Sequence, residues 1–121
     1  MDFTLRKYKE LLICLLENGY KFITFEQYCE QKLASSPNCL IASSPYIILR
    51  HDVDLKAANS LATAQIEQAL GIKASYYFRV VAESNQPDII RSIAELGHEV
   101  GYHYEDMAIA DGDAPKAYAH F

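Results

Sequence analysis

Between Tyr46 and Tyr102, short apolar runs alternate with segments of helical period, and this alternation limits the fold more than any other feature of the chain. Tyr46-Ile47-Ile48-Leu49 is a continuous apolar run of the kind a strand buried on both faces requires. Ala57 to Leu70 then carries Ala, Leu and Ile at helical steps and closes at Gly71. Ala74 to Val81 reads as a second strand, Asp88 to Leu96 as a second helix closing at Gly97, and Glu99 to Tyr102 as a third strand. A β-α-β-α-β order predicts an α/β fold with a parallel sheet and right-handed crossovers, either an open doubly wound sheet or part of a (β/α) barrel. In both, ligands bind at the carboxyl ends of the strands.

Ahead of this unit, Leu5, Tyr8, Leu11, Leu12, Leu15 and Leu16 recur at three- and four-residue steps, and Asn18-Gly19 supplies a stop, so an amphipathic helix is expected. Tyr20 to Phe25 has strand composition, Glu26 to Leu33 reads as a short helix, and Ala34 to Pro45 has the Ser, Pro and Asn content of a loop. Residues 1–45 are thus expected to form a helical lead-in packed on a domain over 46–121. There is no internal repeat.

The chain has 121 residues, half of them apolar, enough for one small core and too few for two ordinary domains. Its 16 acidic residues outweigh 11 basic ones without any basic run, which argues against nucleic acid as a partner. No stretch approaches the ~20 apolar residues of a membrane span, and the start lacks the basic-then-apolar order of a signal peptide, so a cytoplasmic location is expected. Cys14, Cys29 and Cys39 have neither C-x-x-C spacing nor a nearby histidine. They are read as reduced thiols, with Cys14 inside a helical apolar face.

Two clusters carry the chemistry-bearing side chains. The first is Arg50-His51-Asp52-Val53-Asp54, directly after the apolar run. In an extended segment Asp52 and Asp54 share one face and His51 takes the other. Neighbouring carboxylates are commonly held together by a cation or a shared proton; equally, Asp54 could cap the next helix while Asp52 pairs with Arg50. The second cluster is Gly97-His98-Glu99-Val100-Gly101-Tyr102-His103-Tyr104-Glu105-Asp106. His98, before the strand, suits a hydrogen bond to a backbone carbonyl, whereas His103, past the strand beside carboxylates, suits a divalent-metal ligand. Arg79, at the end of the second strand, is a candidate to orient substrate or to form a structural ion pair. Of nine tyrosines, Tyr102 and Tyr104 flank His103 and are the candidates for a ligand contact; Tyr8 and Tyr20 are assigned to lead-in packing.

Leu49-Arg50-His51-Asp52-Val53-Asp54 resembles the variant first motif of the polysaccharide deacetylase family of NodB-like proteins. Ala74-Ser75-Tyr76-Tyr77-Phe78-Arg79 resembles its second strand, and Gly97-His98-Glu99-Val100-Gly101-Tyr102-His103 matches its Gly-His-Glu-Ile-Gly-x-His run. The resemblance covers about Tyr46 to Asp106. It implies a distorted (β/α) barrel and a hydrolase that removes N-acetyl groups from amino-sugar carbohydrate with a divalent metal, zinc first among the choices. It implies Asp52 as general base and Asp54 and His103 as metal ligands, the two aspartates being exchangeable because Val53 separates a pair that is usually adjacent. The family's second metal histidine falls at Met107, a poor ligand for such a cation, so either Glu105 or Asp106 substitutes or the metal is weakly held or absent. His98 matches a structural position, and the later motifs have no counterpart before Phe121. A closed barrel takes ~250 residues, so the expectation is a truncated domain, inactive alone, whose exposed strand edges favour self-association.

Two other readings stand beside this one. A strand ending in Asp-x-Asp also opens haloacid-dehalogenase-type phosphatases, with Asp52 as nucleophile and Asp54 as acid/base. Alternatively, the chain is a non-catalytic carbohydrate- or partner-binding remnant that keeps the motif shell.

Overall fold

A computed structural model describes residues 4–33 and 45–121. The loop expected before Pro45 lies outside these residues, as does Cys39.

The lead-in begins with α1 (Leu5–Glu17). Thr4 caps it by accepting from the Lys7 N–H, and its buried face is Tyr8 and Leu12. Cys14 is exposed, contrary to expectation. It sits two residues, about 200° of helix, from Leu12, and so on the far side of the helix from the core. Tyr20 is likewise more than a third exposed. After β1 (Lys21–Phe22), Thr24 and Gln27 form a capping box: Thr24 Oγ1 accepts from the Gln27 N–H at 3.2 Å and Gln27 Oε1 accepts from the Thr24 N–H at 3.0 Å. That box starts α2 (Phe25–Leu33).

The apolar run does not form one strand that ends where the charges begin. It forms β2 (Tyr46–Ile47), paired in parallel with β1, and the charged residues themselves form β3 (Arg50–Val53). Along β3 the alternation is half-buried rather than two-faced: His51 and Val53 turn inward while Arg50 and Asp52 are exposed. The unit continues with α3 (Ala57–Ala69), β4 (Ser75–Phe78), α4 (Pro87–Glu95), β5 (Glu99–Tyr102), α5 (Asp106–Ile109) and α6 (Ala114–His120). Gly71 and Gly97, at φ 72 and 89, take the left-handed turns that release the chain from α3 and α4.

β3, β4 and β5 form a parallel three-stranded sheet in that order, and β1 with β2 forms a second, two-stranded one. The chain is therefore mixed α/β with parallel strands, and the described residues do not close a barrel. One face of the larger sheet is covered by α3 and α4 around Val53, Ala64, Tyr76, Phe78 and Ile93. The lead-in packs through Tyr8 and Leu12 onto Ile72, and Leu49 touches both clusters. Among the described residues no helix is long and apolar enough to cross a membrane.

Candidate functional site

The strand register places the candidate residues in rows. His51, Tyr76 and Val100 stand side by side, then Asp52, Tyr77 and Gly101, then Val53, Phe78 and Tyr102. Asp54, Arg79 and His103 each follow the last row, at the carboxyl ends of the three strands. The His103 N–H still donates to the Phe78 carbonyl at 2.9 Å, so the ladder holds this residue in line. Ser84, fully buried, ties the ends of β3 and β4 by accepting from the Arg79 N–H and donating to the Val53 carbonyl.

Asp52 lies on the open face. Arg50 Nε donates to its Oδ1 at 2.8 Å, and the Arg50 guanidinium stacks 4.9 Å from the centre of the Tyr77 ring. The hydrogen bond and then the charge of Asp52 raise the Arg50 pKa above its ordinary value. The second carboxylate oxygen, Oδ2, stands 3.6 Å from His103 Nε2. Nδ1 of His103 is buried and has no hydrogen-bond partner among the described residues.

The remaining carboxylates are engaged elsewhere. Arg79 Nε donates to Glu105 Oε2 at 2.7 Å and stands 3.9 Å from Asp54 Oδ1, so one guanidinium lies between two of the expected ligands. Its bond to Glu105 raises the Arg79 pKa, and the charges of Glu105 and Asp54 add to the effect. Asp54 does not cap α3: the cap residue is Lys56, without a side-chain hydrogen bond. Asp106 is enclosed at the start of α5, where it pairs with His120 Nδ1 and accepts from the Tyr102 hydroxyl at 2.9 Å. The hydrogen bond from His120 holds its carboxyl below the usual range, against the opposing effect of burial.

Among the described residues no three His, Cys, Asp or Glu side chains converge on one point. His103, with a bare imidazole nitrogen, and the exposed Asp54 have the donor chemistry of a borderline divalent cation. Glu105 is bonded to Arg79 through Oε2. Asp106 does not join them, because both its oxygens are already bonded. Tyr104 is exposed, and with Phe25, Arg50, Tyr77 and Tyr102 it lines a cleft of about 550 Å³.

On the other face of the sheet the structure assembles a group that motif reading passed over. Glu67, on α3, has no solvent exposure and accepts from Tyr8, from the Tyr76 hydroxyl at 2.6 Å and from His51 Nε2 at 2.7 Å. Burial alone would raise its pKa. The bonds from His51, Tyr76 and Tyr8 outweigh burial and bring it below the ordinary glutamate value. Burial first, then the adjacent carboxylate, pushes both phenols well above their usual range. The available signal was a charged residue on the stripe that carries Ala57 and Ala64, the face α3 presents to the sheet. His98 has the structural role expected of it: Nδ1 accepts from the Ala74 N–H at 3.1 Å and Nε2 donates to the Ala64 carbonyl at 3.0 Å.

No protein-family model, no curated protein and no solved structure matches this chain.

Proposed function

We propose that the chain is part of a (β/α) barrel of the polysaccharide deacetylase type, a metal-dependent hydrolase that removes N-acetyl groups from amino-sugar carbohydrate. The observation that carries this reading is the meeting of Asp52 and His103. They come from the two outer strands of the parallel sheet and approach to 3.6 Å on its open face, at the strand ends where such folds bind ligands. The three motif segments support it by standing in adjacent, registered strands.

In this reading Asp52 is the general base. Arg50 engages one oxygen and leaves the other directed towards the rim, where it takes a proton from the attacking water as the water oxygen bonds to the acetamide carbon. The C–N bond then breaks as the nitrogen takes the proton held by Asp52; the free amine leaves and the acid product ionises to acetate. His103 and Asp54 would hold a divalent metal, zinc in the first instance, and such an ion would supply Lewis-acid polarisation of the carbonyl and a more acidic water. Arg79 keeps Glu105 and Asp54 in place beside it. Tyr104 and the other rings of the cleft offer apolar walls to a sugar ring.

Calorimetric zinc titration of the chain tests the ligand assignment. Asp54→Ala and His103→Ala are each expected to weaken binding by about tenfold or more, as loss of a ligand from a small set should. Affinity unchanged in both variants would overturn the site.

A further inference from the structure

The Glu67 group sits directly behind the strand that carries Asp52, and its partners come from three elements besides its own helix. Tyr8 belongs to α1, His51 to β3 and Tyr76 to β4. The His51 ring also stacks on Tyr76, with centroids 4.5 Å apart, and meets Tyr8 edge-on at 6.3 Å. His98 Nδ1 stands 3.8 Å from the carboxylate but is occupied by the Ala74 N–H, so it adds no further donor. Apolar residues of similar volume often match or exceed such an arrangement in stability. What an anion with three directional donors supplies beyond packing is orientation.

The orientation matters because His51 and Asp52 are consecutive in a regular strand. Fixing the His51 side chain on one face fixes the Cα to which the Asp52 side chain is joined through a single peptide unit, and Asp52 is projected from the opposite face. We propose that Glu67 is the positioning residue of the rim: it holds His51, sets the β3 backbone beside Asp52, and through Tyr8 makes α1 part of that setting. The proposal rests on the reading of Asp52 and His103 as a working pair, but it concerns where β3 is held and is tested without metal or substrate.

The test is Glu67→Gln and Tyr8→Phe, followed by imidazole ¹⁵N signals and amide hydrogen exchange. In Glu67→Gln the ring signals of both His51 and His103 are expected to shift, and β3 amides to exchange about tenfold faster or more. A merely structural Glu67 would lower the melting temperature and leave the His103 ring signals in place, which would overturn the proposal. Tyr8→Phe keeps the buried charge and is expected to accelerate exchange in α1 by a similar factor, with α4 unchanged. Unchanged α1 exchange would sink the role given to the lead-in. Should Glu67→Gln fail to fold, His51→Gln takes its place: a shift of the His103 signals supports the proposal and unmoved signals refute it. If zinc affinity ignores Asp54→Ala and His103→Ala while Glu67→Gln still moves the His103 ring, the hydrolase reading fails and the positioning role stands.

Discussion

Gly101→Ala isolates one contact that explains a motif glycine. Gly101 stands opposite Tyr77 in the register, and a β-carbon built there would lie 2.5 Å from Tyr77 Cε1 and 2.7 Å from Cδ1. Gly101 is not among the glycines with positive φ, so its backbone accepts alanine, and the nearest obstacle among the described residues is the ring. That ring is held edge-on by Phe25 at 6.2 Å and face-on by the Arg50 guanidinium at 4.9 Å. Displacing it forfeits an aromatic pair, about 0.5–1.5 kcal/mol, and a cation–π contact at an exposed site, about 0.5–1 kcal/mol. Replacing a strand glycine returns roughly 0.5–1 kcal/mol of chain entropy. The net expectation is a loss of about 0–2 kcal/mol in the native background. In a Tyr77→Ala background there is no ring to displace, and the same substitution should stabilise by about 0.5–1 kcal/mol. Urea unfolding of the four proteins, followed by far-ultraviolet circular dichroism, gives the double-mutant cycle, with an expected coupling of about 1–2.5 kcal/mol. A Gly101→Ala effect of the same sign and size in both backgrounds would refute the argument.

The Glu67 carboxyl is held below its ordinary value, so the unfolded chain takes up the proton first as pH falls. Its stabilising contribution is present above the unfolded pKa and is lost as pH falls through the folded one. The melting temperature should therefore decline on the acid side, and Glu67→Gln should flatten that limb; superimposable limbs would show that the buried group is not ionised. His120→Ala removes the cation-capable partner of Asp106 and should speed amide exchange in α6 while α4 keeps its protection. Equal exchange in α6 before and after the substitution would mean that the pair does not hold that helix.

How far the fold could be read in advance followed the strength of local periodicity. The helix from Leu5 and those over 57–69 and 87–95 repeat their apolar residues at helical steps over several turns and stop at Asn18 or before a glycine, so their ends were legible. β3 was not, because Tyr46 to Leu49 has the composition of a strand buried twice and drew the assignment four residues too early. Burial on one face only needs the weaker pattern Arg50-His51-Asp52-Val53, in which a histidine stands where an aliphatic residue is customary. The short α5, at four residues, completes barely one turn and leaves no period to detect.

The site divides by the distance over which its parts are specified. That Asp52 and His103 occupy one rim follows from parallel topology, because both lie at carboxyl ends of strands. That Arg79 stands between Asp54 and Glu105, or that Asp106 meets His120 fourteen positions away, depends on side-chain reach after the strands are aligned, which no spacing rule supplies. The His51-Asp52-Val53-Asp54 run shows the limit most clearly. It reads as one motif, yet the alternation of β3 sends His51 to the buried Glu67 and Asp52 to the open face. Two adjacent residues therefore answer to different constraints, one set by the packing of α1 and α3 and the other by the Arg50 and His103 side chains on the open face. Substitution of either should disturb the other's surroundings through the strand they share. A loss of function on mutating His51 would consequently say nothing by itself about whether its imidazole touches substrate.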